Sequence, residues 1–300
     1  MAKRLDFIYI VLAGVLWGTS GIFVNYLAPM GFSSLQMSFS RGFISFLCMA
    51  IFALVRRRSA FRIKGKELLL FLGIGVSLFL TASCYFTSMQ MTSVSTAVVL
   101  MYTAPIYVTV FSVLFFGEKM SGKKVVSIAL MIAGCCLVSG IIEGGRFDLL
   151  GIIIGIISGL AYAAYNIFTK AAMRSGSDPI SANVYSFFFM SAIAFCFSSP
   201  ADYFAAIGTR PAVALPLLIG LGVVTFVLPY LFYTISLKTL PAGTASALSI
   251  VEPMSATLFS VVIFREPLGV ASLVGIIIIL TAVFLLSRGG GDKAAPPKND

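Results

Sequence analysis

The sequence predicts an all-α integral membrane protein with ten transmembrane helices, arranged as two inverted five-helix repeats. Three observations predict it: the scarcity of charge, the even spacing of long apolar runs, and an internal echo between the two halves. The chain has 300 residues, of which 59% are hydrophobic and only 11% charged. A soluble domain is usually about a quarter charged. A water-soluble protein of this size has too much surface to hide that much apolar side chain. Lipid solvates it instead. A helical span needs about 20 apolar residues, so ten spans use about 200 and leave short loops.

The apolar runs are read as spans over 6–28, 33–55, 68–89, 93–116, 123–142, 148–170, 179–199, 212–236, 241–264 and 268–287. The first follows Lys3 and Arg4 and runs too long for a signal-peptide core, so it is a membrane helix. The segments are continuously apolar and do not alternate, which selects helices over barrel strands, since only those two architectures satisfy their backbone in lipid. The first repeat is expected over residues 1–145 and the second over 146–288, with a polar, disordered cytoplasmic tail over 289–300.

The net charge of +10 is distributed by side. With the N-terminus inside, 17 Lys and Arg fall on that side and three (Arg146, Arg210 and Arg265) on the other, with Arg41 within a span. The positive-inside rule then places both termini in the cytoplasm of a cell with an inner membrane. The basic charge is thus an orientation signal and a contact for anionic lipid; no nucleic-acid partner is expected. The chain has no histidine, which removes His-based metal sites, proton relays and Ser-His-Asp triads. The five cysteines lie inside apolar stretches and read as small packing residues. No cofactor and no metal are expected.

Sliding the chain by 148 residues pairs 85–119 with 233–267 at 12 identities, including Tyr85 with Tyr233, Pro105 with Pro253 and Glu118 with Glu266. Gly14, Trp17 and Phe23 likewise match Gly159, Tyr162 and Phe168. Five spans per half is an odd number, so the second half enters the bilayer from the opposite side. Many secondary transporters are built this way, with the substrate site near midplane between the halves.

In this order, Trp17-Gly18, Arg41, Tyr102-Thr103-Ala104-Pro105 through Phe116-Gly117-Glu118-Lys119, and Glu252-Pro253 through Phe264-Arg265-Glu266-Pro267 resemble the EamA family of the drug/metabolite transporter superfamily. The resemblance covers nearly the whole chain. It implies ten helices, a central cavity lined mainly by the first, third, fourth, sixth, eighth and ninth, and an exporter of amino acids or related metabolites. Other branches of the family import different solutes, so a choline-like organic cation is the alternative substrate. An intramembrane enzyme is the remote one, because the chain lacks paired acids and histidine motifs.

Glu252 is the sharpest candidate for chemistry. It lies 11 residues past Pro241, about 16 Å into a core of about 30 Å. A carboxyl group so deep is functional by default: it carries a coupling proton, pairs with a substrate amine, or ties to the backbone near Pro253. Its repeat mate is Ala104. Arg41 pairs with a carboxylate or substrate anion, or bridges helices. Trp17, Tyr85, Tyr102, Tyr162, Asn166, Tyr230 and Tyr233 form an aromatic and amide set suited to an amphipathic solute or a quaternary amine. Pro105 and Pro253 each remove a backbone hydrogen bond mid-span and permit a gating bend. Glycine stripes at Gly14 and Gly18, and at Gly151, Gly155 and Gly159, allow close helix approach, within a monomer or across a weak homodimer. The expected partners are a small-molecule substrate, the lipid bilayer and coupling protons.

Overall fold

The computed structural model describes residues 2–104, 106–107, 110, 122–138, 148–236, 251–265 and 269–289. Within them every regular element is helical. The helices are α1 (Ala2–Gly18), α2 (Ser20–Leu27), α3 (Ser34–Arg56), α4 (Gly65–Met91), α5 (Val94–Met101), α6 (Gly122–Val138), α7 (Leu149–Arg174), α8 (Pro179–Phe197), α9 (Pro200–Thr209), α10 (Pro211–Gly222), α11 (Leu228–Ser236), α12 (Val251–Phe264) and α13 (Val270–Gly289). A π-helical turn, Val223–Val227, joins α10 to α11.

Among the described residues, six stretches are long and apolar enough to cross a bilayer, and Val125–Gly134, Met254–Phe264 and Leu273–Ala282 are shorter apolar helices. The expected span over 93–116 is described mainly in α5, and Glu118, Lys119, Glu266 and the tail beyond 289 lie outside the described residues.

Local chemistry sets the helix starts. Ser33 and Gln36 form a capping box at α3: the Ser33 N–H donates to Gln36 Oε1 at 2.9 Å and the Gln36 N–H to Ser33 Oγ at 3.3 Å. Ser93 caps α5, and Asp178 caps α8 just before Pro179. Gly176 (φ 83°) turns the chain at the end of α7, where the Ser177 N–H reaches back to the Ala172 carbonyl at 3.1 Å. The short helix α9 was not anticipated by the sequence reading. Its signal is nevertheless present: Ser199 caps it, Pro200 opens it and Asp202 sits in its first turn.

The packing is that of a membrane protein. Large apolar side chains point outward, with Val270 77% and Val55 72% exposed. Hydroxyls are inside: Ser38, Ser45, Ser88 and Thr225 are fully buried. Many bond to the carbonyl one turn back, as Ser40 does to Gln36 and Thr81 to Ser77. Others cross between helices, as Ser88 Oγ does to the Gly151 carbonyl at 2.8 Å.

Contacts between the halves come in matched couples. α4 packs on α7 as α11 packs on α1; α5 packs on α7 as α12 packs on α1; and α4 packs on α8 as α10 packs on α3. The pairs α3–α8, α5–α12 and α6–α13 map onto themselves when the halves are exchanged. The glycine stripes explain the closest of these contacts, and they pack within the chain. A Cβ on Gly155 would fall 2.8 Å from Ser88 Oγ, and one on Gly151 would fall 2.8 Å from Met91 Cβ. A Cβ on Gly14 would fall 2.9 Å from Val251 Cβ, and one on Gly18 would fall 2.7 Å from Ser255 Cβ. Only glycine lets α1 lie against α12 at this distance, and that contact places Glu252.

Candidate functional site

Three of the spans that supply the site are interrupted, while α3, α4 and α7 pass it unbroken. Thr19 separates α1 from α2, with Trp17 and Ser20 on either side of it. α5 stops at Met101, and Tyr102 and Thr103 form a turn beyond it. The π-turn breaks the eighth span beside Phe226 and Tyr230. Irregular backbone within a membrane is tolerated where it lines a cavity, and one is present. Its walls include Trp17, Ser20, Arg41, Thr81, Tyr85, Met101, Tyr162, Phe226, Tyr230 and Glu252. The volume open to water is about 50 Å³. That space admits water, whereas sites for drug-sized ligands run to several hundred Å³. A ligand of that size would require this cavity to widen.

Glu252 sits in the first turn of α12 and Tyr102 at the broken end of α5. Tyr102 Oη donates to Glu252 Oε2 at 2.8 Å. The bond ties a helix of one half to a helix of the other. Thr103 Oγ1 donates to the Leu100 carbonyl at 2.7 Å, which supports the turn that aims Tyr102.

Arg41 comes from α3 and is only 8% exposed. Its Nη2 donates to the Thr225 carbonyl at 2.9 Å, and its Nε is buried without a partner. The guanidinium lies 4.5 Å from the Phe226 ring centroid and 5.6 Å from that of Phe86, close enough for cation–π attraction. Among the described residues no ion pair joins Arg41 to Glu252. The cavity thus holds one acid and one base that do not neutralise each other by direct contact.

The aromatic walls are mutually packed. Trp17 meets Tyr230 edge-on at 5.7 Å and Tyr233 at 5.8 Å. Tyr230 packs on Phe226 at 4.8 Å, and Tyr162 stacks on Tyr165 at 5.7 Å.

Of the residues singled out from sequence, Trp17, Arg41, Tyr85, Tyr162, Tyr230 and Glu252 meet at the cavity, and Tyr102 joins them through Glu252. Tyr233 packs against Trp17 from behind. Asn166 is not among the wall residues, but it sits beside Tyr162: its Nδ2 donates to the Tyr162 carbonyl at 2.8 Å, within its own helix. Pro253 lies in α12 beside Glu252, and Pro105 lies outside the described residues. Sequence reading missed Ser20, Thr81, Met101 and Phe226. Ser20 had a signal, being three residues past Trp17 on the same helical face. Thr81 had one too, four residues before Tyr85. Met101 and Phe226 look like any other apolar residue.

The EamA-like transporter family matches this chain twice, over residues 5–140 and 149–288. A protein of Archaeoglobus fulgidus described as an uncharacterised transporter is 32% identical over 93% of this chain and 95% of its own length. The uncharacterised transporter YwfM of Bacillus subtilis is 25% identical over 99% of this chain and 97% of its own. A solved crystal structure shares the fold, with TM-score 0.64 and 17% identity over 96% of this chain and 99% of that one. The double match and the full-length relatives establish that the chain belongs to the EamA-like transporter family.

Proposed function

We propose that the chain is a secondary-active carrier of small amphipathic metabolites, an exporter of amino acids or related compounds working by alternating access. One observation carries this reading: a cavity between the two halves is lined by an acid, a base and aromatic rings, with Glu252 and Arg41 not paired to each other. A zwitterion presents a cation to Glu252 and an apolar body to Trp17, Tyr162 and Tyr230, while its anion sits in the positive field of Arg41 without touching it. The matched couples of contacts between the halves support a rocking exchange, in which the roles of the two halves alternate. Within this reading the chain has ten spans, with both termini on the cytoplasmic side of an inner membrane, supported by the 17-to-3 division of Lys and Arg.

A second reading is import of a small organic cation of the choline type. The observation that favours it is the Glu252 carboxylate among Trp17, Tyr102 and Tyr162, since aromatic faces bind quaternary ammonium groups.

The test is a panel of amino acids, quaternary amines and nucleosides on purified protein, read by thermal shift and then by counterflow in proteoliposomes. Stabilisation and counterflow by amino acids support the first reading. The same response confined to quaternary amines selects the second. Counterflow of neither class overturns both.

A further inference from the structure

Arg41 is the most deeply placed cation in the described chain, and its bond to a backbone carbonyl needs a cause. In a regular helix the Thr225 carbonyl accepts from the N–H four residues on, at position 229. That residue is Pro229 and has no N–H. The proline ring also crowds that carbonyl, and the helix widens just before it, into the π-turn Val223–Val227. There the Leu228 N–H bonds to the Val223 carbonyl, five residues back. The Thr225 carbonyl therefore lacks the donor that a regular α-helix would give it, and a carbonyl short of donors is costly in a dry interior. Arg41 Nη2 supplies a donor at 2.9 Å.

The rest of α3 is built to the same end. Ser45, one turn after Arg41, donates to the Gly222 carbonyl at 3.3 Å, at the start of the widened turn. A Cβ on Gly222 would fall 2.7 Å from Ile44 Cβ, so glycine is what lets α3 come close enough. Phe226, inside the turn, covers the guanidinium face.

The symmetry-related contact, α4 against α8, provides an internal control. Shifted by 148, Pro229 corresponds to Thr81, which retains its N–H, and α4 runs unbroken from Gly65 to Met91. The shift of 145 that aligns the first and sixth spans matches Arg41 with Ser186. A close glycine contact is also present there, one position beyond Ile74, the mate of Gly222: a Cβ on Gly75 would fall 2.6 Å from Phe189 Cβ. Proline, widened turn and arginine meet at one of the two symmetry-related contacts between the halves, and the described residues of the other contact have none of the three at the matching positions.

We infer that Arg41 is a positioning residue: it replaces the backbone donor that Pro229 lacks and so holds the break in the eighth span that sets Tyr230 against Trp17 in the cavity. It acts on solute through Tyr230 and not by direct contact. That the cavity binds solute rests on the function proposed above; the brace does not, and the two are read separately.

Trp17 is the only tryptophan of the chain and meets Tyr230 at 5.7 Å, so its fluorescence reports the brace directly. In purified full-length protein, Arg41→Gln shifts the Trp17 emission maximum and lowers the melting temperature. Adding Pro229→Ala, which restores an N–H to the helix, returns both toward native. If Arg41→Gln alone does not fold, recovery of folded protein in the double variant is the expected result. Native emission in Arg41→Gln, or failure of Pro229→Ala to rescue either emission or folding, overturns the brace. Where counterflow is measurable, the double variant recovers it; emission rescued with counterflow still lost assigns Arg41 to the solute and also overturns the inference. Rescue of emission in a protein that shows no counterflow in any variant leaves the brace standing and removes the function proposed above.

Discussion

Tyr102 and Glu252 are 150 residues apart in the chain, yet a 2.8 Å hydrogen bond joins them across the centre of the molecule. The phenol comes from the broken end of α5 and the carboxyl group from the first turn of α12. These two helices correspond under the internal repeat, but the acid exists in one half only, because the mate of Glu252 is Ala104. The bond is therefore a contact between the symmetric frame and its chief asymmetry.

Glu252→Gln tests proton coupling. The amide keeps the shape and can still accept from Tyr102, but it cannot release a proton. Flux driven by a pH gradient is expected to disappear in proteoliposomes while solute exchange persists. Retention of gradient-driven flux would sink the coupling role.

Tyr102→Phe removes the donor and leaves the carboxyl group in place. Loss of a partly buried hydrogen bond of this kind costs about 1–3 kcal/mol. A lower melting temperature is expected, together with a changed pH profile of flux. If both are native, Tyr102 does not control Glu252.

Tyr85→Ala and Tyr230→Ala remove cavity wall from two different helices. Both are expected to weaken solute binding by about tenfold or more, equivalent to about 1.4 kcal/mol or more, with the protein still folded. Thr281→Ala serves as the contrast, since its hydroxyl bonds within its own helix and it is exposed, off the cavity wall. Isothermal titration with the solute found by the panel measures all three. Equal affinities across the set would move the site elsewhere.

Gly18→Val tests the contact that places Glu252. Its Cβ would fall 2.7 Å from Ser255 Cβ and 2.9 Å from the Ala256 backbone nitrogen. Overpacking of this kind costs about 1–3 kcal/mol, and melting should fall accordingly. Gly208→Ala is the control, because a carbon added there meets nothing within 4 Å. It lies at the C-terminal end of α9, next to its last residue, so the substitution is expected to be close to neutral.

Much of the fold is legible in the sequence because a bilayer allows few solutions. Apolar runs of bilayer length must be helices. A carboxyl group deep in such a run stands out against its surroundings, as Glu252 does, and so does a buried cation such as Arg41. Aromatic residues are harder to place. Trp17, Tyr85, Tyr162 and Tyr230 line the cavity while Tyr233 stands behind it, and nothing in their spacing distinguishes them. Their placement depends on where the helices break.

The sequence by itself determined the class of protein, the apolar segments, the echo between the halves and the two charged residues that matter. These follow from solvation and from local periodicity, which act residue by residue. Tertiary structure alone decided which groups meet. It joined Tyr102 to Glu252, bonded Asn166 to the Tyr162 carbonyl, packed the glycine stripes inside the chain and gave Arg41 a backbone carbonyl as its partner. The physical reason is that each of these depends on how closely two helices approach and on where each is interrupted. Those quantities are set by glycines and prolines on one helix acting on side chains of another, far away in sequence.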